Sequence, residues 1–303
     1  WWQFAWKGDA SRFLRASFGT AIVLTAAIVF RLFGHARQLS PKDRETPDGS
    51  ALPLIHSGRT DALLALTGDK RILSSESGNA MLLYQVQGQS WIVMGDPVGP
   101  KGEWADLLWT LRERADAAQG RLLLYQISME AVPLTIDLGL QLVKYGEEAH
   151  VPLETFSLDG PEMKSLRHAD RRAEREGAAF EIVERHAVPR MMGELRAISD
   201  AWLRAKKQRE KAFSVGRFDA RYLSNFDVAI VRQHGRIVAF ANLWTTAGRD
   251  ELSVDLMRHA DTMPYGTMDF LFVRLMLWGQ AQGYRRFNLG LAPLSGLEAR
   301  RLA

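Results

Sequence analysis

The residues at 250–257 alternate between polar and apolar types, as they would in a β-strand with two different faces. One face is predicted to carry Glu251, Ser253 and Asp255, and the other to pack its side chains into a core: Leu252, Val254 and Leu256. A carboxylate in this setting can bind an amino group, and Arg258 could hold a carboxyl or phosphate oxygen. In a straight strand Asp255 and Arg258 point apart, so their cooperation requires a bulge or a strand end near Met257. A purely structural Asp–Arg pair is the alternative.

A second set of charged residues lies on a predicted helix over 161–176. Its basic residues are spaced by three or four positions or by one, which places them on one face: Lys164, Arg167, His168, Arg171, Arg172 and Arg175. Such a face can bind a phosphate backbone or anionic lipid headgroups. It could equally be a solvated face, because nearby Asp and Glu residues stand at helical pairing distance.

Several other kinds of chemistry have no matching pattern. The chain has no cysteine, its seven histidines are scattered without an HExxH spacing, and no GxSxG or Walker motif occurs. We therefore expect no metal and no cofactor. The formal net charge of +4 is too mild to identify a partner by itself, although it is compatible with RNA or an acidic membrane.

The order of predicted elements indicates an α+β chain with mixed sheets. Strands at 79–86, 90–94, 121–127, 141–145 and 150–157, with helices at 103–118 and 131–138, form a first unit at 55–158. A second unit at 159–303 has helices at 161–176, 188–206 and 264–282 and strands at 227–233, 236–245, 250–257 and 285–290. This order resembles the GNAT acyltransferase fold twice over. The loop before 264–282 lacks a glycine-rich pyrophosphate cradle, so coenzyme A is not the expected acyl donor.

The first 38 residues differ from the rest. Residues 16–30 carry no charge, arginines stand at both ends, and an aromatic cluster precedes them. We expect one transmembrane helix here, the last of a membrane domain, followed by a linker at 39–54. A buried core helix is the alternative. Because the chain begins with Trp1, we also expect it to be part of a longer protein.

Seven segments in order make the chain similar to the phosphatidylglycerol lysyltransferases, the aminoacyl-phosphatidylglycerol synthases of the multiple peptide resistance factor group. They are LTGDKRIL (66–73), GDPVGP (95–100), DLGLQLVKYGEEAHVPL (137–153), ISDAWL (198–203), ELSVDLMR (251–258), PYGTMDFLF (264–272) and LGLAPLSGLE (289–298). The resemblance implies two tandem GNAT-like domains that transfer an aminoacyl group, lysyl or alanyl, from aminoacyl-tRNA to phosphatidylglycerol. It also implies resistance to cationic antimicrobial peptides.

The resemblance also implies roles for particular residues. Asp255 would bind the substrate amino group, and Arg258 would bind the reacting ester or the lipid phosphate. Further substrate-binding residues would be Glu251, Ser253, Tyr222 and His56, the last also a candidate general base. Family members continue beyond the segment at 289–298, and that continuation contributes to their site.

The implied partners are aminoacyl-tRNA, phosphatidylglycerol and the protein's own N-terminal flippase domain, with a homodimer as a further arrangement. The implied location is the bacterial inner membrane, with the catalytic domains on the cytoplasmic side. Two other functions remain open: a non-catalytic module that binds tRNA or lipid, and a Fem-like transferase that aminoacylates a peptidoglycan precursor.

Overall fold

A computed structural model describes residues 57–261 and 263–297, together with Val23 and Leu54. The expected transmembrane segment at 16–30, except Val23, lies outside the described residues, as does His56. Among the described helices, none is both long and apolar enough to cross a membrane.

The first sheet has four strands in the order β1-β2-β3-β4, which are Arg71–Ser74, Met81–Gln87, Ser90–Met94 and Arg121–Tyr125. Helix α1 (Trp104–Ala117) connects β3 to β4, which lie parallel, and its apolar face packs on the sheet. A 3-10 helix (Thr60–Thr67) precedes β1, a second one (Lys101–Glu103) leads into α1, and α2 (Val132–Asp137) follows β4.

The second sheet has six strands in the order β5-β10-β9-β8-β7-β6. Their bounds, from β5 to β10, are Gly146–Pro152, Ala178–Val183, Val228–Gln233, Arg236–Thr245, Glu251–His259 and Arg286–Pro293. The remaining helices are α3 (Lys164–Arg175), α4 (Val188–Lys206), α5 (Ala220–Leu223) and α6 (Thr267–Ala281). The fold is therefore mixed α/β.

Strands β9 and β10 separate partway along their length. They pair in parallel at only three positions, the last of which joins Ser253 to Asn288. Beyond that point β9 continues along β8, and β10 continues along β5. The proposed binding residues Asp255 and Arg258 lie on β9 after the separation.

The structure corrects two strands that were predicted near the end of the first unit. Residues 141–145 form no strand. The strand predicted at 150–157 begins and ends earlier, as β5 (Gly146–Pro152), and it pairs with β10 in the second sheet. The local sequence indicated a strand in this region but could not identify its partner, which lies about 140 residues away in sequence. The boundary between residues 158 and 159 stays a prediction.

One hydrophobic cluster joins the two sheets. It contains Ala62 and Leu64 of the first 3-10 helix, Leu83 of β2, and Trp244 and Leu256 of the second sheet. The relative position of the two sheets is therefore fixed by apolar packing, and this packing brings residues near 57–70 against the polar face of β9.

Candidate functional site

A bulge in β9 places Asp255 and Arg258 on the same side of the sheet. Between the pairs Leu243–Val254 and Ala241–Met257, β9 has one residue more than β8. The Leu256 amide N–H donates to the Asn242 side chain at 2.8 Å. The bulge that Asp255 and Arg258 need in order to cooperate is therefore present.

The same bulge makes one sequence prediction wrong. Leu252 and Val254 pack in the core beneath α6, as expected. Leu256 instead lies in the cluster that joins the two sheets, because the extra residue moves its side chain to the opposite face.

The Asp255 side chain is half-buried, and its carboxylate accepts two hydrogen bonds. The Tyr222 hydroxyl donates to it at 2.6 Å, the Gly216 amide N–H donates at 2.8 Å, and the Trp244 indole N–H donates to the Tyr222 oxygen at 3.0 Å. Tyr222 is held at the start of α5, where Asp219 caps the helix by accepting from two backbone N–H groups. We call Asp255, Tyr222, Trp244 and Arg258 the Asp255 cluster.

Burial raises the pKa of Asp255 above its ordinary value, although the hydrogen bonds from Tyr222 and Gly216 and the charges of Arg258 and Lys70 oppose the shift. Burial and the neighbouring carboxylate both raise the pKa of Tyr222. A positive group that replaced one of these donors would favour the ionised carboxylate further.

Arg258 lies flat against an aromatic ring. Its guanidinium is 4.3 Å from the centre of the Trp202 ring and donates to the Glu210 carboxylate at 3.2 Å. One oxygen of Glu210 and the Nε of Arg258 are buried without a hydrogen-bond partner. The pairing is therefore incomplete, and the guanidinium keeps a donor for another acceptor.

Two charged residues near this cluster were missed by the sequence analysis. The Lys70 ammonium is buried and donates to Asp69 at 2.7 Å and to Thr67 at 3.0 Å. Burial lowers the pKa of Lys70, although Asp69 and Asp255 oppose the shift. In the sequence these two residues stand in a run of three charges, 69–71, which gives no sign that Lys70 is buried.

A cavity of about 1160 Å³ lies between β4 of the first sheet and β5 of the second. Its charged lining includes Arg59, Asp61, Glu148, Glu251 and Arg286, and its exposed apolar lining is Leu123, Met129, Leu142, Val143 and Tyr145. We call the latter five residues the apolar rim. Of the predicted site residues described by the structure, Glu251 lines this cavity and Asp255, Arg258, Tyr222 and Ser253 do not.

Both oxygens of the Glu251 carboxylate accept hydrogen bonds from other groups of the protein. Thr60 donates to it through both its backbone N–H at 2.9 Å and its hydroxyl at 2.7 Å, and Arg286 donates at 2.9 Å. Burial acts to raise the pKa of Glu251, but these hydrogen bonds and the Arg286 charge outweigh it and the pKa is lowered. Ser253 is buried, and its hydroxyl donates to the Asn288 carbonyl at 2.9 Å. Both residues therefore fasten β9 in place.

The predicted basic face lies on the outer side of α3. Lys164, Arg171 and Arg175 are exposed, whereas the opposite face of the helix buries Asp170 and Ala173 against α6. The other two cations have structural contacts: Arg167 donates to the carbonyls of Leu158 and Gly160, and Arg172 pairs with Glu176 at 2.7 Å.

Comparison with known proteins identifies relatives over most of the chain. A family model described as the C-terminal region of phosphatidylglycerol lysyltransferase matches residues 50–303. A phosphatidylglycerol lysyltransferase of Bacillus subtilis is 37% identical over 273 residues, which are 89% of this chain and 32% of that protein. One from Staphylococcus aureus is 33% identical over 77% of this chain and 28% of its own length. The chain thus spans about a third of these relatives.

Solved structures give the same result. The C-terminal domain of a candidate lysylphosphatidylglycerol synthetase from Agrobacterium fabrum superimposes with a TM-score of 0.79 at 42% identity, covering 84% of this chain and 79% of that one. L-PGS from Bacillus licheniformis superimposes with a TM-score of 0.78 at 36% identity, covering 85% and 83%. FemX shares the fold alone, at a TM-score of 0.53 and 10% identity. The chain belongs to the phosphatidylglycerol lysyltransferase C-terminal family.

Proposed function

We propose that this chain carries the transfer site of an enzyme that moves an aminoacyl group from aminoacyl-tRNA to phosphatidylglycerol. The observation that supports the proposal most is the bulge in β9, which brings Asp255 and Arg258 to one side in a member of this family. Lysyl is the first candidate for the transferred group because the relatives are lysyltransferases, and alanyl is the second.

The reaction follows from the two side chains. Asp255 accepts hydrogen bonds from the α-ammonium of the aminoacyl group, and Arg258 holds the ester oxygen or the lipid phosphate with its planar guanidinium. The glycerol hydroxyl oxygen attacks the ester carbon, the bond to the ribose oxygen breaks, and the hydroxyl proton passes to that leaving oxygen. Because the ester is already activated, orientation and charge stabilisation suffice without a covalent intermediate on the enzyme. His56 is proposed to bind substrate and is a candidate for the base that carries this proton, with a structural role as the alternative.

The cavity is proposed as the place for the acceptor. Its volume is sufficient for a glycerol headgroup, and its paired acidic and basic side chains offer donors and acceptors to a diol. The apolar rim would contact the acyl chains at the mouth of the cavity. Ser253 and Glu251 then act by holding β9 between the donor and acceptor regions.

The wider organisation is also part of the proposal. Two GNAT-like domains, at 55–158 and 159–303, would follow a transmembrane helix within 1–38 and a linker at 39–54. They would work on the cytoplasmic side of the inner membrane, beside the protein's flippase domain and as monomer or homodimer. Lysyl transfer would add positive charge to an anionic lipid, which weakens the attraction of cationic antimicrobial peptides.

The basic face of α3 is proposed to bind phosphates. Lys164, Arg171 and Arg175 are exposed and point away from the core, so they can contact tRNA or lipid phosphates without rearrangement. Arg167 and Arg172 would join them only by exchanging a contact within the protein.

The direct experiment supplies the protein with radiolabelled aminoacyl-tRNAs and vesicles of phosphatidylglycerol. Extraction of labelled aminoacyl-phosphatidylglycerol is the expected result, and the amino acid that labels the lipid identifies the donor. Binding of both substrates without transfer would favour the non-catalytic module, for which the closed Asp255 cluster is the supporting observation. Transfer to a peptidoglycan precursor alone would favour the Fem-like reaction, consistent with the FemX-like fold.

A further inference from the structure

Residues 208–218 connect α4 to α5 and lie directly over the Asp255 cluster. Three of them contact charged residues of this region: Glu210 accepts from Arg258 at 3.2 Å, the Phe213 N–H donates to Asp69 at 3.3 Å, and the Gly216 N–H donates to Asp255 at 2.8 Å. Gly216 is buried, while most of its neighbours in the segment are exposed or half-buried.

In two of these contacts, the group from the segment has the same hydrogen-bonding role as a group of the proposed aminoacyl donor. The Gly216 N–H donates to the carboxylate to which the aminoacyl ammonium would donate. The Glu210 carboxylate accepts from the guanidinium that would hold an ester or phosphate oxygen. The protein therefore fills both positions of its own donor site with groups that match the donor.

Backbone hydrogen bonds do little to hold the segment, whose other contacts include the packing of Phe213 and Phe218 and the stacking of Arg196 on Phe218. Within the described part of the chain, no backbone–backbone hydrogen bond involves residues 209–218, and the backbone N–H groups of Phe213 and Gly216 bind the side chains of Asp69 and Asp255 instead. The ion pair with Arg258 leaves one oxygen of Glu210 and one nitrogen of Arg258 buried without partners. Segments with few backbone hydrogen bonds open at low free-energy cost.

The segment also stands between the two regions of the molecule. The Tyr125 ring lines the cavity, and its centre is 5.7 Å from that of Phe213. Phe213 adopts a φ of 76°, a left-handed conformation that a bulky residue rarely takes and that needs its surroundings to maintain it. Phe213 therefore contacts both Tyr125 of the cavity lining and, through its N–H, the Asp69 carboxylate.

We propose that residues 208–218 form a strap that closes the donor site until charged tRNA arrives. The aminoacyl ammonium replaces the Gly216 N–H at Asp255, an oxygen of the donor replaces Glu210 at Arg258, and the released strap opens the donor site toward the cavity. This inference rests on the proposed function. The alternative is that residues 208–218 are a fixed wall of the site, in which case the donor tightens their contacts.

Hydrogen exchange distinguishes the two cases without requiring turnover. Exchange of the Phe213 and Gly216 amides, which are hydrogen-bonded to Asp69 and Asp255, should become faster when aminoacyl-tRNA is added, and uncharged tRNA should leave it unchanged. Amides of β7, which are paired on both sides, serve as the internal control. Slower or unchanged exchange with aminoacyl-tRNA would overturn the proposal, as would an equal response to uncharged tRNA. Failure of lipid labelling alone would count against the proposed function and not against the strap.

A glycine-to-alanine substitution provides the matched test. A Cβ at position 216 would lie 2.1 Å from an Asp255 oxygen and 2.7 Å from the Tyr222 ring, so Gly216→Ala cannot close over the cluster. The control is Gly193→Ala, because Gly193 is exposed on α4 and a Cβ at this position would meet no atom within 4 Å. If the closed state predominates by about tenfold, Gly216→Ala should lower the KM for aminoacyl-tRNA by about tenfold.

Glu210→Gln weakens the other closing contact, because it removes the charge that pairs with Arg258, and should lower the same KM by a smaller factor. It decides the question if Gly216→Ala does not fold. A raised KM in either folded variant would show that the segment is part of the binding wall, and the strap would be excluded.

Discussion

The Asp255 cluster and the cavity between the sheets use similar residues in opposite ways. In the cluster, one carboxylate and one guanidinium are half-buried on the same side of β9 and are contacted by residues 208–218. In the cavity, acidic and basic side chains pair with one another and remain beside an open space with an apolar rim. The first arrangement suits a small cationic group that must be held in one orientation. The second suits a polar headgroup that carries hydrophobic chains.

The pKa shifts of two carboxylates on the same strand express this difference. Glu251 receives enough hydrogen bonds and charge to lower its pKa, whereas burial dominates at Asp255 and raises its pKa. A carboxylate whose charge is already stabilised by protein groups has a structural role. A carboxylate whose charge is destabilised by burial would be stabilised by a bound cation.

The largest expected effect is on the Asp255 cluster. Asp255→Asn keeps the shape and removes the charge that binds the ammonium, a contact of about 1.5–3 kcal/mol, so transfer to phosphatidylglycerol should fall by at least about tenfold. Arg258→Lys keeps the charge and loses the planar fork and the stacking on Trp202, and it should also transfer poorly. Initial rates of lipid labelling measure both. Wild-type rates in folded variants would make the pair structural.

The second effect concerns stability and separates the two carboxylates by its sign. Because the pKa of Glu251 is lowered on folding, its stabilisation is present above the pKa of an unfolded Glu and is lost as pH falls through the folded value. Glu251→Gln should therefore cost about 1–3 kcal/mol at neutral pH and less in acid. Because the pKa of Asp255 is raised, its ionisation costs stability as pH rises through the folded value.

Urea unfolding from about pH 4 to about pH 8 measures both dependences. The stability of Asp255→Asn relative to wild type should increase with pH, and that of Glu251→Gln should decrease. The same slope for both variants would contradict the contrast between the two regions.

A charge on the apolar rim should distinguish contacts with the acyl chains of the lipid from contacts with its headgroup. Leu123→Glu places a carboxylate on an exposed rim residue and should slow transfer to phosphatidylglycerol in vesicles by about three- to tenfold, since a charge near acyl chains is unfavourable. Transfer to a water-soluble short-chain phosphatidylglycerol should change little. Leu66→Glu, at an exposed leucine outside the cavity lining, is the matched control. Equal effects at both positions would exclude a special role for the rim.

The smallest effect is expected at the basic face of α3. Replacing Lys164 and Arg171 with Ser should weaken binding of tRNA or anionic vesicles about two- to fivefold and reduce the salt dependence, because each lost phosphate contact lowers the slope by about one. Arg185→Ser with Arg190→Ser removes the same charge from exposed positions elsewhere. If both double variants behave alike, α3 contributes only general charge.

The sequence predicted the elements that carry the site better than it predicted their partners. The alternation at 250–257 correctly gave a strand with Glu251, Ser253 and Asp255 on a polar face, because side-chain direction in a strand follows the local period of two. It could only pose the bulge as a condition, since a bulge depends on what the neighbouring strand offers, here the Asn242 side chain. For the same reason, the prediction that Leu256 lies on the same face as Leu252 and Val254 was wrong.

The contacts made by irregular segments could not be predicted from the sequence. No pattern relates Gly216 to Asp255 or Glu210 to Arg258, because these contacts depend on how a loop without backbone pairing lies on a finished fold. Pairing of β5 with β10 likewise joins residues about 140 positions apart, which no local pattern encodes. The pairing of Asp69 with the buried Lys70 was not visible in the run of charges at 69–71.

The central claim is that Asp255 binds the α-ammonium of the donor, and a cycle of enzyme and substrate changes tests it most directly. Transfer rates are measured for wild type and Asp255→Asn, each with aminoacyl-tRNA and with donor whose α-amino group has been acetylated. If the carboxylate binds the ammonium, acetylation should slow wild type by at least about tenfold and should slow Asp255→Asn little further, because the same contact is already lost. Equal slowing of both proteins by acetylation would mean that the amino group is bound elsewhere and would contradict the account.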